Sequence, residues 1–303
     1  MKQLALVVLL AVVTVVAPRA AASKRLLFIG NSFTFGELSP AHFWRNGSVT
    51  DLNDEGIGGV PALVKAMTVE AGLAYDVSLE THPGVGLDWH LANRLDALTK
   101  QPYDVVVMHG FSTLDSEKPG DPAKLVDTAT RMADALRQVN PSVEIHLTAT
   151  WSRADQTYPQ GRPWFGKPIE TMAIDVRAGY DKAAAAIKAA SVVPVGEAWN
   201  RAIKNGVADA NPYDGIEAGK IDLWAIDHYH ASAQGYYLEA LMVFGDLTGI
   251  DPRSLGAGEC AAYELGFTGA PARALQQVAF DELDAAHRTM TKATPAARAA
   301  RCK

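Results

Sequence analysis

The chain has 303 residues, 48% of them hydrophobic and 20% charged, with 28 lysines and arginines against 34 acids and a net charge of −6. This composition excludes a wholly disordered chain and supplies enough apolar matter for one sizeable core. Its acidic balance argues against nucleic acid as a partner, because the phosphates would repel it.

The first segment, MKQLALVVLLAVVTVVAPRAAAS, carries Lys2, an apolar run over residues 4–16 and small residues at 20–22. That layout predicts a secretory signal peptide over residues 1–22, cut after Ala22. The apolar run is shorter than the roughly 20 residues of a membrane span. Cleavage would remove Lys2 and Arg19 and no acid, leaving 26 basic against 34 acidic residues and a charge of −8. The mature chain is expected in the periplasm or outside the cell, with no membrane span after cleavage.

From residue 25 on, apolar runs alternate with amphipathic stretches, which predicts βαβ units around a mostly parallel sheet of five strands. RLLFIG reads as the first strand, GVPALVKAMTVEAGL as a helix with Val60, Leu63, Val64 and Met67 on one face, and YDVSLET as the second strand. DWHLANRLDALTK is a helix. YDVVVMHG, nearly all apolar, is a central strand buried on both faces. PAKLVDTATRMADALRQVN is an amphipathic helix stopped at Asn140-Pro141, and VEIHLTATW is the fourth strand. RADQTYPQGRPWFGKP is a loop, IDVRAGYDKAAAAIKAA a helix, and SVVPVGEAW a fifth strand entering a short helix. AQGYYLEALMVFGDLTG closes a domain spanning 23–250, and residues 251–303 form a C-terminal extension. There, Cys260 and Cys302 either pair in an oxidising compartment, clipping the tail to the body, or remain free thiols.

In an open parallel sheet, ligands bind beyond the carboxyl ends of the strands. The polar residues there are Asn31 and Ser32 after the first strand, His82 and Gly84 after the second, and His109 and Ser112 after the third. The fourth strand is followed by Trp151, Ser152 and Arg153, and DHYH, Asp227 to His230, comes late in the chain. A serine hydroxyl is a weak nucleophile unless a base takes its proton, and a histidine base needs a carboxylate to fix its tautomer. The D-x-x-H spacing lets one carboxylate reach back to its own histidine.

FIGNSFT followed far downstream by DHYHAS resembles the SGNH (GDSL-type) hydrolases over most of residues 25–250, and GNSFT, ATWSRADQTYP and PVGEAW look like an exported bacterial branch of them. The resemblance implies a three-layer α/β/α, flavodoxin-like fold. It also implies a serine esterase or deacylase in which Ser32 is the nucleophile, His230 the general base and Asp227 its orienting carboxylate. The oxyanion hole would comprise the amides of Ser32 and Gly84, with Gly86 as the other glycine to consider. Where that family has G-x-N, this chain reads Gly110-Phe111-Ser112, so Ser112 is the third donor only if a shorter side chain suffices; Asn31 or His109 could complete the hole instead.

Asn31, His109, Trp151 and Arg153 are candidates for substrate contact. Tyr158, Trp164 and Phe165 either stack on substrate or pack their loop to the core, and Arg153 either reads a polar substrate or pairs with Asp155. His228 reads as a loop or packing residue, and His82 and His90 as helix-flanking polar residues. A metal site from His82, His90, His109 and His230 has no supporting spacing, and the implied chemistry needs no metal or organic cofactor. The implied substrate is a small acyl ester, such as an acetyl group on a carbohydrate. Acyl transfer to a sugar hydroxyl would use the same triad, and a non-catalytic glycan-binding protein on a decayed scaffold is the alternative from another class.

Overall fold

The computed structural model describes residues 23–292. The predicted leader 1–22 and Cys302, and with it the Cys260–Cys302 pairing, lie outside them. In chain order the strands are β1 (Lys24–Gly30), β2 (Thr50–Asp51), β3 (Tyr75–Thr81), β4 (Val105–Met108), β5 (Glu144–Ala149) and β6 (Ser191–Pro194). The helices are α1 (Ser32–Phe35), α2 (Gly59–Glu70), α3 (Leu87–Asn93), α4 (Leu95–Leu98), α5 (Ala123–Val139), α6 (Ala154–Thr157), α7 (Glu170–Ile187), α8 (Val195–Lys204), α9 (Ala233–Thr248), α10 (Cys260–Glu264) and α11 (Ala270–Ala285).

All strand pairs are parallel, in the order β2-β3-β1-β4-β5-β6. Successive side chains along a strand point to opposite faces, so one strand feeds two cores. In β1, Leu26 and Phe28 join the core built with α2, α8, α9 and α11, while Leu27 and Ile29 join the one built with α5 and α7. The molecule is therefore three layers, helices over both faces of a buried sheet, which is why VVVM of β4 is apolar without alternation.

The sheet has six strands rather than the five read from the sequence. The extra one, β2, pairs only Thr50 with Ser78 and Asp51 with Leu79 at the outer edge. Two residues cannot display a period-2 pattern, so the pairing is set by tertiary position rather than by local sequence. Beyond Gly249, which ends α9 in a left-handed conformation, α11 packs on α8 and α9. Its Leu275, Val278 and Leu283 are buried in the main core, each stabilising by about 1.5–3 kcal/mol. No helix among the described residues is long and apolar enough to cross a membrane.

Candidate active site

β1 and β4 are hydrogen-bonded neighbours at the centre of the sheet, with Ile29 opposite Met108, so the segments that follow them emerge side by side. Ser32 opens the single turn of α1. Asn31 caps it, its Oδ1 accepting from the Phe33 amide at 3.1 Å. Gly30 is required by close packing rather than by an unusual dihedral: a Cβ there would lie 2.0 Å from Thr34 Oγ1 and 2.6 Å from His109 Nε2. The Ser32 amide makes no hydrogen bond to the described residues. The Gly84 amide is likewise unpaired. Gly84 has φ +69°, and a Cβ on it would meet nothing within 4 Å, as a residue facing an open cleft would.

The DHYH segment folds as a tight loop closed by the Ala225 amide donating to the His230 carbonyl at 2.8 Å. Asp227 Oδ1 accepts from the amides of Tyr229 and His230, at 3.1 and 3.0 Å, which turns Oδ2 back onto the imidazole. His230 Nδ1 donates to that Oδ2 at 2.6 Å. Burial alone would raise the Asp227 carboxyl, but the hydrogen bonds it accepts from His230 and the two amides hold it below its ordinary value. It stays a carboxylate and fixes His230 with its proton on Nδ1 and a lone pair on Nε2. His230 Nε2 and Ser32 Oγ each lack a hydrogen bond, yet neither is sealed from solvent. No direct hydrogen bond joins them, as is common for catalytic pairs without substrate.

Aromatic packing brings the two segments together. Phe33 lies 5.8 Å edge-on from the His230 ring and 5.4 Å from Tyr229. Tyr236, one turn into α9, donates to the Ser32 carbonyl at 3.2 Å. Trp151 is wholly buried, stacked between Phe33 at 4.1 Å and Trp199 at 4.7 Å, and its indole N–H reaches the Tyr229 carbonyl at 3.2 Å. The sequence offers Trp151 as a substrate platform; here it is a wholly buried brace behind the Ser32 helix and the histidine loop, out of reach of a substrate.

The three further substrate candidates are occupied by the fold. Asn31 Nδ2 donates to the carbonyls of Val85, at 2.8 Å, and Gly110, at 3.4 Å, so its polar atoms tie the β1, β3 and β4 loops together. His109 Nδ1 donates to the Gly110 carbonyl and Nε2 accepts from the Thr34 hydroxyl at 2.7 Å. Burial pushes its pKa down to about 4, so it is neutral and no base for Ser32. Arg153 forks onto Asp155 at 2.9 and 2.8 Å and places its guanidinium 3.4 Å from the centre of the Tyr229 ring. It also donates to Ser112 Oγ at 3.1 Å.

The remaining histidines disperse. His82 stacks on Trp89 at 4.0 Å. His90 is wholly buried against Glu80 and donates from Nε2 to the Gly30 carbonyl at 2.9 Å, and His228 sits on Tyr213 at 4.3 Å. No group of three or more His, Cys, Asp or Glu able to hold a metal occurs among the described residues. Trp164 is buried with its N–H on Asp175, Tyr158 donates to the Ala210 carbonyl, and Phe165 is half exposed. Phe33 and Tyr236 escaped the sequence reading, although Phe33 directly follows Ser32; Tyr229 enters it only as part of the DHYH block.

No protein-family model matches the chain, and no curated protein does. Solved structures match it in fold. A DUF4886 family protein from Bacteroides uniformis aligns over 89% of this chain and 98% of its own, with a TM-score of 0.57 and 15% identity. A protein described as a GDSL-like lipase, from Parabacteroides merdae, covers 77% and 99% at TM-score 0.54 and 16% identity. An acetylxylan esterase from Geobacillus stearothermophilus covers 74% and 94% at TM-score 0.50 and 18% identity. At such identities the likeness is one of fold.

Proposed function

The chain has the SGNH (GDSL-type) hydrolase fold, and from that premise we propose that it is an exported serine esterase acting on short acyl esters. The observation that carries this reading is the Asp227–His230 pair at 2.6 Å. Its free Nε2 belongs to a ring packed against Phe33, the residue next to Ser32. In this mechanism Ser32 Oγ attacks the ester carbonyl while His230 Nε2 takes its proton, and Asp227 stabilises the imidazolium. The unpaired amides of Ser32 and Gly84 receive the oxyanion. Collapse breaks the C–O bond, and the leaving alcohol takes the proton from His230. Water, deprotonated by the same nitrogen, then releases the acid and restores Ser32.

An acetyl group on a carbohydrate is the substrate class we favour, supported by the shared fold with an acetylxylan esterase. The test is hydrolysis of p-nitrophenyl acetate by the purified protein beside Ser32→Ala, with fluorophosphonate labelling of both. Turnover and labelling of the wild type alone support the reading. A wild type that neither hydrolyses nor labels would leave a binding scaffold in its place. Product formation that depends on an added sugar acceptor would point to acyl transfer by the same residues.

A further inference from the structure

Ser112 stands in the loop after β4 where the resembled family carries asparagine, and its side chain is too short to donate over the same distance. The structure gives it a partner instead. Arg153 spends Nε and Nη2 on the two oxygens of Asp155, and its remaining arm, Nη1, donates to Ser112 Oγ at 3.1 Å. The arginine is fixed from all sides: Asp155 is held by the Gln156 amide group at 2.6 Å and donates its own backbone N–H to the His228 carbonyl, and Tyr229 lies under the guanidinium. Tyr229 in turn packs 4.0 Å from the His230 ring. Ser112 thus lies one guanidinium away from the aromatic ring that touches the general base.

A guanidinium can only donate, so the Ser112 oxygen must be the acceptor in this contact. Its own hydrogen is left over, and it makes no hydrogen bond to the described residues. The side chain is nearly buried, so bulk water is a poor partner. A hydroxyl whose oxygen accepts from a cation is a stronger donor through its hydrogen, and charge-assisted bonds are roughly twice as strong as neutral ones.

We propose that Arg153 is a positioning residue that orients and polarises Ser112 as the third oxyanion donor, in place of the asparagine this chain lacks. The proposal rests on the esterase reading above. It assigns Arg153 to the transition state through Ser112, not to recognition of substrate charge, which the Asp155 fork already neutralises.

A double-mutant cycle tests it, with p-nitrophenyl acetate as substrate and Ser112→Ala, Arg153→Gln and the double variant compared with wild type. Each single change is expected to lower kcat by about 100-fold with KM within about threefold, because a donor used only in the transition state is lost. The double variant is expected to be no slower than Ser112→Ala alone. If the two losses multiply, or Arg153→Gln acts on KM instead, Arg153 serves some other purpose and the proposal is overturned. Should Arg153→Gln show no cooperative melting, Arg153→Lys takes its place in the cycle under the same criteria. Fluorophosphonate labelling separates the two levels. A wild type that neither labels nor turns over sinks the esterase reading and this one together, whereas a labelled, active wild type with multiplying losses sinks this one alone.

Discussion

The two ends of the sheet carry the same three residue types, and only at one end are a serine oxygen and an imidazole nitrogen left open. At the carboxyl end stand Ser32, His230 and Asp227. At the amino end, where His146 of β5 lies in register with Ser191 of β6, Asp246 of α9 completes a second serine, histidine and aspartate. In that second group Ser191 Oγ donates to Asp246 Oδ2 at 2.5 Å and also lies 2.7 Å from His146 Nδ1, the nitrogen that donates to the same carboxylate. Both protons point at the acid, and the other nitrogen, His146 Nε2, is buried with no hydrogen-bond partner among the described residues. At the carboxyl end the acid takes Nδ1, while Nε2 and the serine oxygen reach solvent. The two groups therefore differ not in residue type but in which imidazole nitrogen and which hydroxyl the carboxylate leaves open to solvent.

Paired substitutions can break this comparison. The largest expected effect is on turnover: Ser32→Ala should lower kcat on p-nitrophenyl acetate by at least about 10⁴-fold, while Ser191→Ala leaves it within about twofold. Activity that survives the first or vanishes with the second would reverse the assignment. The aspartates should divide differently. Asp227→Asn is expected to cost about 10³- to 10⁴-fold in kcat with little change in melting, because His230 loses its tautomer and its counter-charge. Asp246→Asn should leave kcat alone and destabilise by about 3 kcal/mol, because it removes the buried partner of His146 and of Arg288, which lies 2.8 Å away. Denaturant unfolding and steady-state kinetics on the same two variants decide it. A catalytic loss in Asp246→Asn without a stability loss would defeat the structural reading of the amino-end group.

The contrast also explains what was legible in the sequence. Ser32 and the D-x-x-H block could be read because each is local: a strand that stops at a glycine, and a carboxylate three residues from its own histidine. The strands β1 and β3–β6 showed in apolar or alternating stretches for the same reason. The amino-end group was invisible because Asp246 meets His146 across 100 positions and nothing near either residue announces the other. Arg153 and Ser112, 41 positions apart, form their bond only because β4 and β5 are adjacent. Trp151 misled because a strand end has two sides, one facing the cleft and one facing the core, and residue type does not say which. His109 misled in the same way, since Thr34 and Gly110 satisfy both its nitrogens inside the protein.

His109 and His230 sharpen the comparison at a single end of the sheet, and they supply the smallest effect. His109 is neutral in the fold, its pKa pushed down to about 4 from 6.5. A base whose folded pKa is depressed contributes its full stability above its unfolded pKa, and loses it as pH falls from 6.5 towards about 4. That interval corresponds to at most about 3 kcal/mol, and each kcal/mol to about 2–4 °C in a domain of this size. Asp227 and Asp246, both held low, lose their contributions only below their ordinary carboxylate values, and so are silent over most of this window. Glu70 is not silent: burial pushes it up to about 7, so its contribution is present at low pH and is lost as pH rises from 4.5 to 7, the opposite sign. The quantity to measure is therefore a difference, the melting temperature of wild type minus that of His109→Gln at each pH from 7 to 4. It should shrink steadily as the solution is acidified, since the variant has no proton to refuse. Two parallel curves would mean that the His109 ring takes up its proton without cost, and that its burial between Thr34 and Gly110 is looser than the hydrogen bonds imply.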